Sequence, residues 1–203
     1  MKKISFMLVS IAVVLGLLAG CGGGEAARQP SNSPAPAGSA QPEPGGTSGA
    51  LGVLASFSAG TLDGGVFTQD DIKDKDVTVI NFWALSCAPC IAELPDLAEF
   101  SKSLPDNVQL VTVCLDGGSN EDTAKEVLAQ AGFEGVTLIS GDGDLAALAG
   151  NLMYTPTTVF ADSEGNLVGD AMIGRQEDLS GTYLAAVNEV LAAGGKDAIS
   201  LEA

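Results

Sequence analysis

The chain has 203 residues, 46% of them hydrophobic, which suffices for one domain with a real core and gives no sign of two. Nine Lys and Arg against 26 Asp and Glu leave a formal net charge of −17, a balance that repels nucleic-acid phosphate and reads as a solvated acidic surface. Histidine is absent, which excludes Ser-His and Cys-His nucleophiles and His-ligated metals; the four cysteines are too few for a disulfide scaffold and do not form the two couples of a thiolate zinc site.

In chain order, Lys2 and Lys3 precede an apolar run from Ile4 to Leu18, the n-region and h-region of an export signal. The run closes in Leu18-Ala19-Gly20-Cys21. That ending resembles the lipobox of bacterial lipoproteins, which implies cleavage before Cys21 and lipid on its thiol. Residues 1–20 are therefore expected to be a signal peptide. Acyl chains on Cys21 would then hold the protein to the extracytoplasmic face of a cell membrane. Residues 21–53 are rich in Gly, Pro, Ser and Ala and lack any apolar period, so they read as a flexible tether. A folded domain is expected over 54–195, with a short tail over 196–203.

Within that domain, Val66–Thr68 follows a "DGG" turn and reads as a short strand. Val77–Trp83, "VTVINFW", has the near-continuous apolar character of a strand buried on both faces. Ala88 to about Leu104 reads as a helix, with a kink expected at Pro95. Val108–Leu115 is a second buried strand. A helix over Asn120–Ala131 carries acids in its first turn and Gly132 at its end. Val136–Ile139 reads as a strand and Asp144–Leu152 as a short helix. Thr157–Ala161 and Leu167–Ile173 form a hairpin around "DSEGN", and Gln176–Ala193 is a final amphipathic helix. Alternating strands and helices define an α/β class with a central mixed sheet flanked by helices.

The chemistry concentrates in "NFWALSCAPC", Asn81–Cys90. Cys87 falls just past the carboxyl end of a central strand and at the start of a helix, where sites of open α/β sheets lie. Free amides and the helix dipole there stabilise a thiolate, lowering its pKa from ~8.5 toward the ~3.5–7.5 of reactive cysteines. A thiolate at Cys87 can attack a protein disulfide, and Cys90 can then attack Cys87 and release the product. No cofactor or metal is needed. A lone CxxC could as well be a static disulfide or two buried thiols; its place after a buried strand and at a helix start in an exported domain favours the redox reading. Pro89 suits the first helical turn. Glu93 lies three residues beyond Cys90 on the same helical face. It reads either as a solvated charge or as a carboxylate that accepts the Cys90 proton. Cys114, near the end of a buried strand, reads as a small apolar core residue.

"VINFWALSCAPC" resembles the active-site segment of thioredoxin-like proteins, in particular the membrane-anchored thiol-disulfide oxidoreductases of the TlpA/ResA type. "TLDGGVFTQDDIKDKDVTVINFW" is similar to that group's lead-in hairpin and first central strand, and "YTPTTVFADSEGNLV" to its cis-proline strand and hairpin. Asn120–Leu152 sits where the group carries an extra helix and strand. The resemblance implies a thioredoxin fold, Cys87 as exposed nucleophile and Cys90 as buried resolving thiol. It implies a cis bond before Pro156, with Thr155 presenting its backbone to a substrate strand, and Trp83 walling the site. It also implies Glu93 as the active-site acid/base, the more so because Asn81 stands where thioredoxins usually carry a buried Asp. Ser86 departs from the group, which usually has an aromatic residue before the first cysteine. The implied partners are exported proteins bearing disulfides, apocytochrome c among them, and an integral membrane thiol carrier as electron donor. The reductase direction is favoured over an oxidant that inserts disulfides, and over a surface-binding lipoprotein with an idle CxxC.

Overall fold

The computed structural model describes residues 52–201, so the signal peptide, the lipidation site at Cys21 and the tether up to residue 51 lie outside the described residues. The elements are β1 (Ser58–Gly60), β2 (Val66–Thr68), α1 (Gln69–Lys73), β3 (Val77–Trp83), α2 (Ala88–Lys102), β4 (Val108–Cys114), α3 (Glu121–Ala131), β5 (Thr137–Leu138), α4 (Gly143–Asn151), β6 (Thr157–Asp162), β7 (Met172–Ile173) and α5 (Leu179–Ala193). β1 and β2 form an antiparallel hairpin of their own. The central sheet has the order β5-β4-β3-β6-β7, with β3, β4 and β5 parallel and β6 and β7 antiparallel to their neighbours.

All seven residues of β3 are buried, as its unbroken apolar run requires of a central strand covered on both sides. Alternate residues face opposite layers. Val77, Val79 and Trp83 pack with Leu94 and Leu97 of α2, Leu128 of α3 and Tyr183 and Val187 of α5. Ile80 and Phe82 pack on the other side with Ile72 of α1 and Leu145 of α4. This is the mixed sheet with helices on both faces that the sequence leads one to expect.

Several boundaries differ from expectation for physical reasons. β1 and α1 are too short to show a period; α1 exists because Thr68 and Asp71 form a reciprocal capping box. α5 begins at Leu179 rather than Gln176, since Asp178 caps it by accepting from Gly181 N at 3.0 Å. The expected strand over Leu167–Ile173 is interrupted: Leu167 bridges Ala161, pairing resumes only at Met172, and Gly169 between them turns to φ +73°. α2 runs on through Pro95 to Lys102. The described chain is already paired at Gly52, whose carbonyl accepts from Leu167 N at 3.0 Å, and Leu54 N donates to Gly165 O at 2.8 Å. Gly165 has φ +82°, and a Cβ there would stand 2.7 Å from Leu54 O, so the close approach demands glycine. At the other end Asn188 of α5 exchanges hydrogen bonds with the backbone of Ile199, which packs on the core.

Candidate active site

β3 ends at Trp83, and the chain then turns tightly, Cys87 N donating to Ala84 O at 3.0 Å, before α2 begins. Two contacts from the end of β4 brace that turn. Leu115 N donates to Trp83 O, and Leu85 N donates to the Asp116 carboxylate, both at 2.9 Å. Cys87 is the N-cap of α2; its Sγ accepts from Cys90 N at 3.3 Å, so the sulfur sits among the free amides of the first turn. Pro89 lies in that turn, where its missing N–H leaves no bond unmade. Cys87 and Cys90 are joined as a disulfide, with Cα atoms 5.2 Å apart. Cys87 is half-buried, Ala88 and Pro89 are exposed, and Cys90 has no exposed surface. Cys87 is therefore the accessible residue of the pair and Cys90 the enclosed one.

Glu93 is fully buried one helical turn beyond Cys90. Its Oε1 accepts from Asn81 Nδ2 at 2.9 Å, and its Oε2 has no partner among the described residues. Burial pushes its pKa up from 4.5 to about 6, against the Asn81 hydrogen bond and the Arg175 charge, with Asp96 adding to the rise. A carboxylate so placed can take and return a proton near neutral pH.

The Thr155–Pro156 peptide is cis. Register fixes where it lies: Thr157 pairs with Phe82, so Pro156 stands at the edge of the sheet where β3 delivers Cys87. Pro156 is buried and Thr155 half-exposed. Trp83, expected to wall the site, is buried. It has no exposed surface, and it packs in the cluster that contains Cys90. Cys87 packs against the same cluster. Cys114 is buried and free, its thiol pushed up to about 12, chiefly by burial and then by the Asp116 charge, which disfavours the reactive thiolate.

Sequence reasoning missed Thr158, Tyr183 and Asp116. Thr158 Oγ1 accepts from Asn81 Nδ2 at 3.0 Å and lies 2.6 Å from Tyr183 Oη. Only the alternation of β6, which puts Thr158 on the same face as Asn81, pointed to it. Asp116 lies in a loop with no pattern.

Solved structures share this architecture. The pneumococcal exposed lipoprotein thioredoxin Etrx1 from Streptococcus pneumoniae is similar at 29% identity and TM-score 0.55, over 66% of this chain and 99% of that one. A thioredoxin family protein of Chlorobium tepidum shares the fold at 23% identity and TM-score 0.55, over 66% and 95%. Among sequences, the thioredoxin-like protein YneN of Bacillus subtilis is 35% identical over 121 residues, 58% of this chain and 68% of that protein. The thiol:disulfide interchange protein HelX of Rhodobacter capsulatus is 28% identical over 102 residues, 50% of this chain and 55% of its own length. The Redoxin family model matches residues 30–179, and the chain belongs to that family, as a thioredoxin-like thiol-disulfide oxidoreductase with its CxxC pair at 87–90. Among the described residues no helix is long and apolar enough to cross a membrane.

Proposed function

We propose that this protein is a lipid-anchored, extracytoplasmic reductase of disulfides in exported proteins. The observation that carries the reading is the asymmetry of the pair: Cys87 half-exposed at a helix N-terminus, Cys90 buried beside a buried Glu93. In the reduced protein the Cys87 thiolate attacks one sulfur of a substrate disulfide. The substrate S–S bond breaks, its departing thiolate takes a proton, and Cys87 is left in a mixed disulfide. Cys90 then gives its thiol proton to Glu93 and attacks Cys87 Sγ; the mixed disulfide breaks and the second substrate sulfur leaves as a thiolate, which takes a proton from solvent. Two electrons have passed to the substrate, and the Cys87–Cys90 disulfide of this structure is the product. Thr155, beside the cis-proline, offers backbone groups to an extended substrate.

The location rests on the signal and lipobox at Cys21, and on relatives described as an exposed lipoprotein and as interchange proteins. Reducing equivalents then come from an integral membrane thiol carrier, since the domain lies away from cytoplasmic donors. The deciding measurement is the reduction potential of the Cys87–Cys90 couple in thiol buffers, followed by Trp83 fluorescence. A value at about −270 mV or lower is expected for a reductant, and one near about −120 mV would instead mark an oxidant that inserts disulfides.

A further inference from the structure

Asn81 stands in the middle of β3 with no exposed surface, and its side chain joins two different groups. Nδ2 donates to Glu93 Oε1 at 2.9 Å and to Thr158 Oγ1 at 3.0 Å, whereas Oδ1 has no partner among the described residues. Thr158 Oγ1 and Tyr183 Oη are 2.6 Å apart, and either can be the donor. All four side chains are buried. Glu93 takes part in the proposed proton transfer and Asn81 bonds it directly, whereas Thr158 and Tyr183 have no part in that transfer.

The two ends of an amide are alike in size and opposite in hydrogen-bonding sense. An ionised Glu93 only accepts, so it selects the N–H end. A protonated Glu93 carries an O–H, whose proper partner is Oδ1. A hydroxyl can serve either end. With N–H presented, Thr158 accepts from Asn81 and turns its own O–H to Tyr183. With Oδ1 presented, Thr158 donates to Asn81 and accepts from Tyr183. The whole line can reverse its polarity with its heavy atoms in place.

We propose that Thr158 and Tyr183 are positioning residues of the dithiol site: they hold the Asn81 amide with its N–H toward an ionised Glu93, and the amide turns over when Glu93 takes a proton. This rests on the reading of Glu93 as the group that receives the Cys90 proton. Both forms of Glu93 then find a partner in a site without solvent, and the proton can arrive and leave without either form being stranded. The other groups that face Glu93 are few. α2 contributes Asp96, and α5 contributes Tyr183. Arg175, after β7, is paired to Asp96 at 3.0 Å, and β3 brings only Asn81, which does not titrate.

The test is the titration of the Glu93 side-chain carboxyl by carbon NMR on the full-length oxidised protein, with Glu93→Gln assigning the signal. Thr158→Val removes the acceptor that holds the second N–H, so Glu93 should bind its proton about three- to tenfold more tightly. Tyr183→Phe should shift it the same way by less, and Thr158→Ser, which keeps the hydroxyl, should restore the original midpoint. An unmoved midpoint in both Thr158→Val and Tyr183→Phe, or a serine variant displaced as far as valine, overturns the proposal. Should those variants not fold, the unsubstituted protein decides: the Asn81 side-chain amide resonance must follow the Glu93 midpoint, and a flat signal between about pH 4 and pH 8 overturns it. Exchange kinetics separate this from the parent reading. Undiminished exchange in Glu93→Gln sinks Glu93 as proton acceptor, while the oxidised-state titration still judges the hydrogen-bond line.

Discussion

The two faces of the central sheet are made by the same strands and differ in one respect. On the face under α1 and α4, Ile80 and Phe82 of β3, Val111 and Val113 of β4, and Val159 and Ala161 of β6 form an apolar layer, and the buried hydroxyls there, Thr78 and Thr157, both have hydrogen-bond partners. On the face under α2 and α5, a row of polar side chains crosses the sheet. Register puts Thr158, Asn81, Thr112 and Thr137 side by side on β6, β3, β4 and β5, with Glu93 and Tyr183 coming down onto the row from the helices. A buried polar group without a partner costs about 1–3 kcal/mol. Asn81 Oδ1, Trp83 Nε1 and Glu93 Oε2 all lack one among the described residues, and all three lie in this layer. Stability alone favours the first face. The second tolerates unpaired groups in the layer that also holds Cys90, as the proposed proton transfer to Glu93 would require.

The largest expected effect breaks the second face at its outlet. Cys87→Ala should abolish disulfide exchange, measured by reduction of a model protein disulfide, while leaving the fold intact. Cys90→Ser should arrest at mixed disulfides seen on non-reducing gels, and failure to trap any would argue against attack by Cys87. On the first face the prediction inverts. Phe82→Ala should cost about 3–5 kcal/mol in denaturant melts, through the cavity left in the apolar layer. The Glu93 midpoint should barely move, and a large shift there would show that the faces are not separable.

Glu93 sharpens the comparison through pH. Its folded-state pKa is raised from 4.5 to about 6, so the folded protein holds this proton more tightly than the unfolded chain does. The associated stability is full below about pH 4.5 and is lost as pH rises through about 6, an amount of about 2 kcal/mol. Other acids titrate in the same range, so the difference between native protein and Glu93→Gln isolates the effect. Relative to Glu93→Gln, the native protein should lose about 2 kcal/mol between about pH 4 and pH 7.5 in urea melts. A difference independent of pH would mean that Glu93 is not held in its buried position.

How much of this was legible in the sequence follows from the range of each signal. β3, α2 and the CxxC pair announce themselves within a few residues, because an apolar run, a helix start and a cysteine spacing are local patterns. Pro156 was legible through its resemblance to a known strand. Trp83 was expected to wall the site and has no exposed surface, because β3 is covered on both faces along its whole length. The helix start at Leu179 turned on a single cap, and the break at Gly169 on one left-handed residue. Tyr183 could not be found at all. Its link to Asn81 passes through Thr158, and three residues from β3, β6 and α5 meet only once the sheet is assembled.

The smallest expected effect tests the rim between the two kinds of environment. Arg175 bonds Asp96 at 3.0 Å with both side chains about half exposed, so the pair itself contributes only about 0–1 kcal/mol to stability. Its charge also reaches Glu93 and favours the carboxylate. Arg175→Gln removes that attraction and leaves Asp96, which opposes it, unbalanced. The Glu93 midpoint should therefore rise by a few tenths of a pH unit, on the order of half a kcal/mol. Because Arg175 is exposed, the shift should shrink with added salt, the Debye length being about 3 Å at 1 M. A shift caused by the buried hydrogen-bond line should not shrink. If the Arg175→Gln shift survives high salt unchanged, Arg175 acts through the packing of its loop rather than its charge, and the polar layer extends further toward the surface than the two-face division allows.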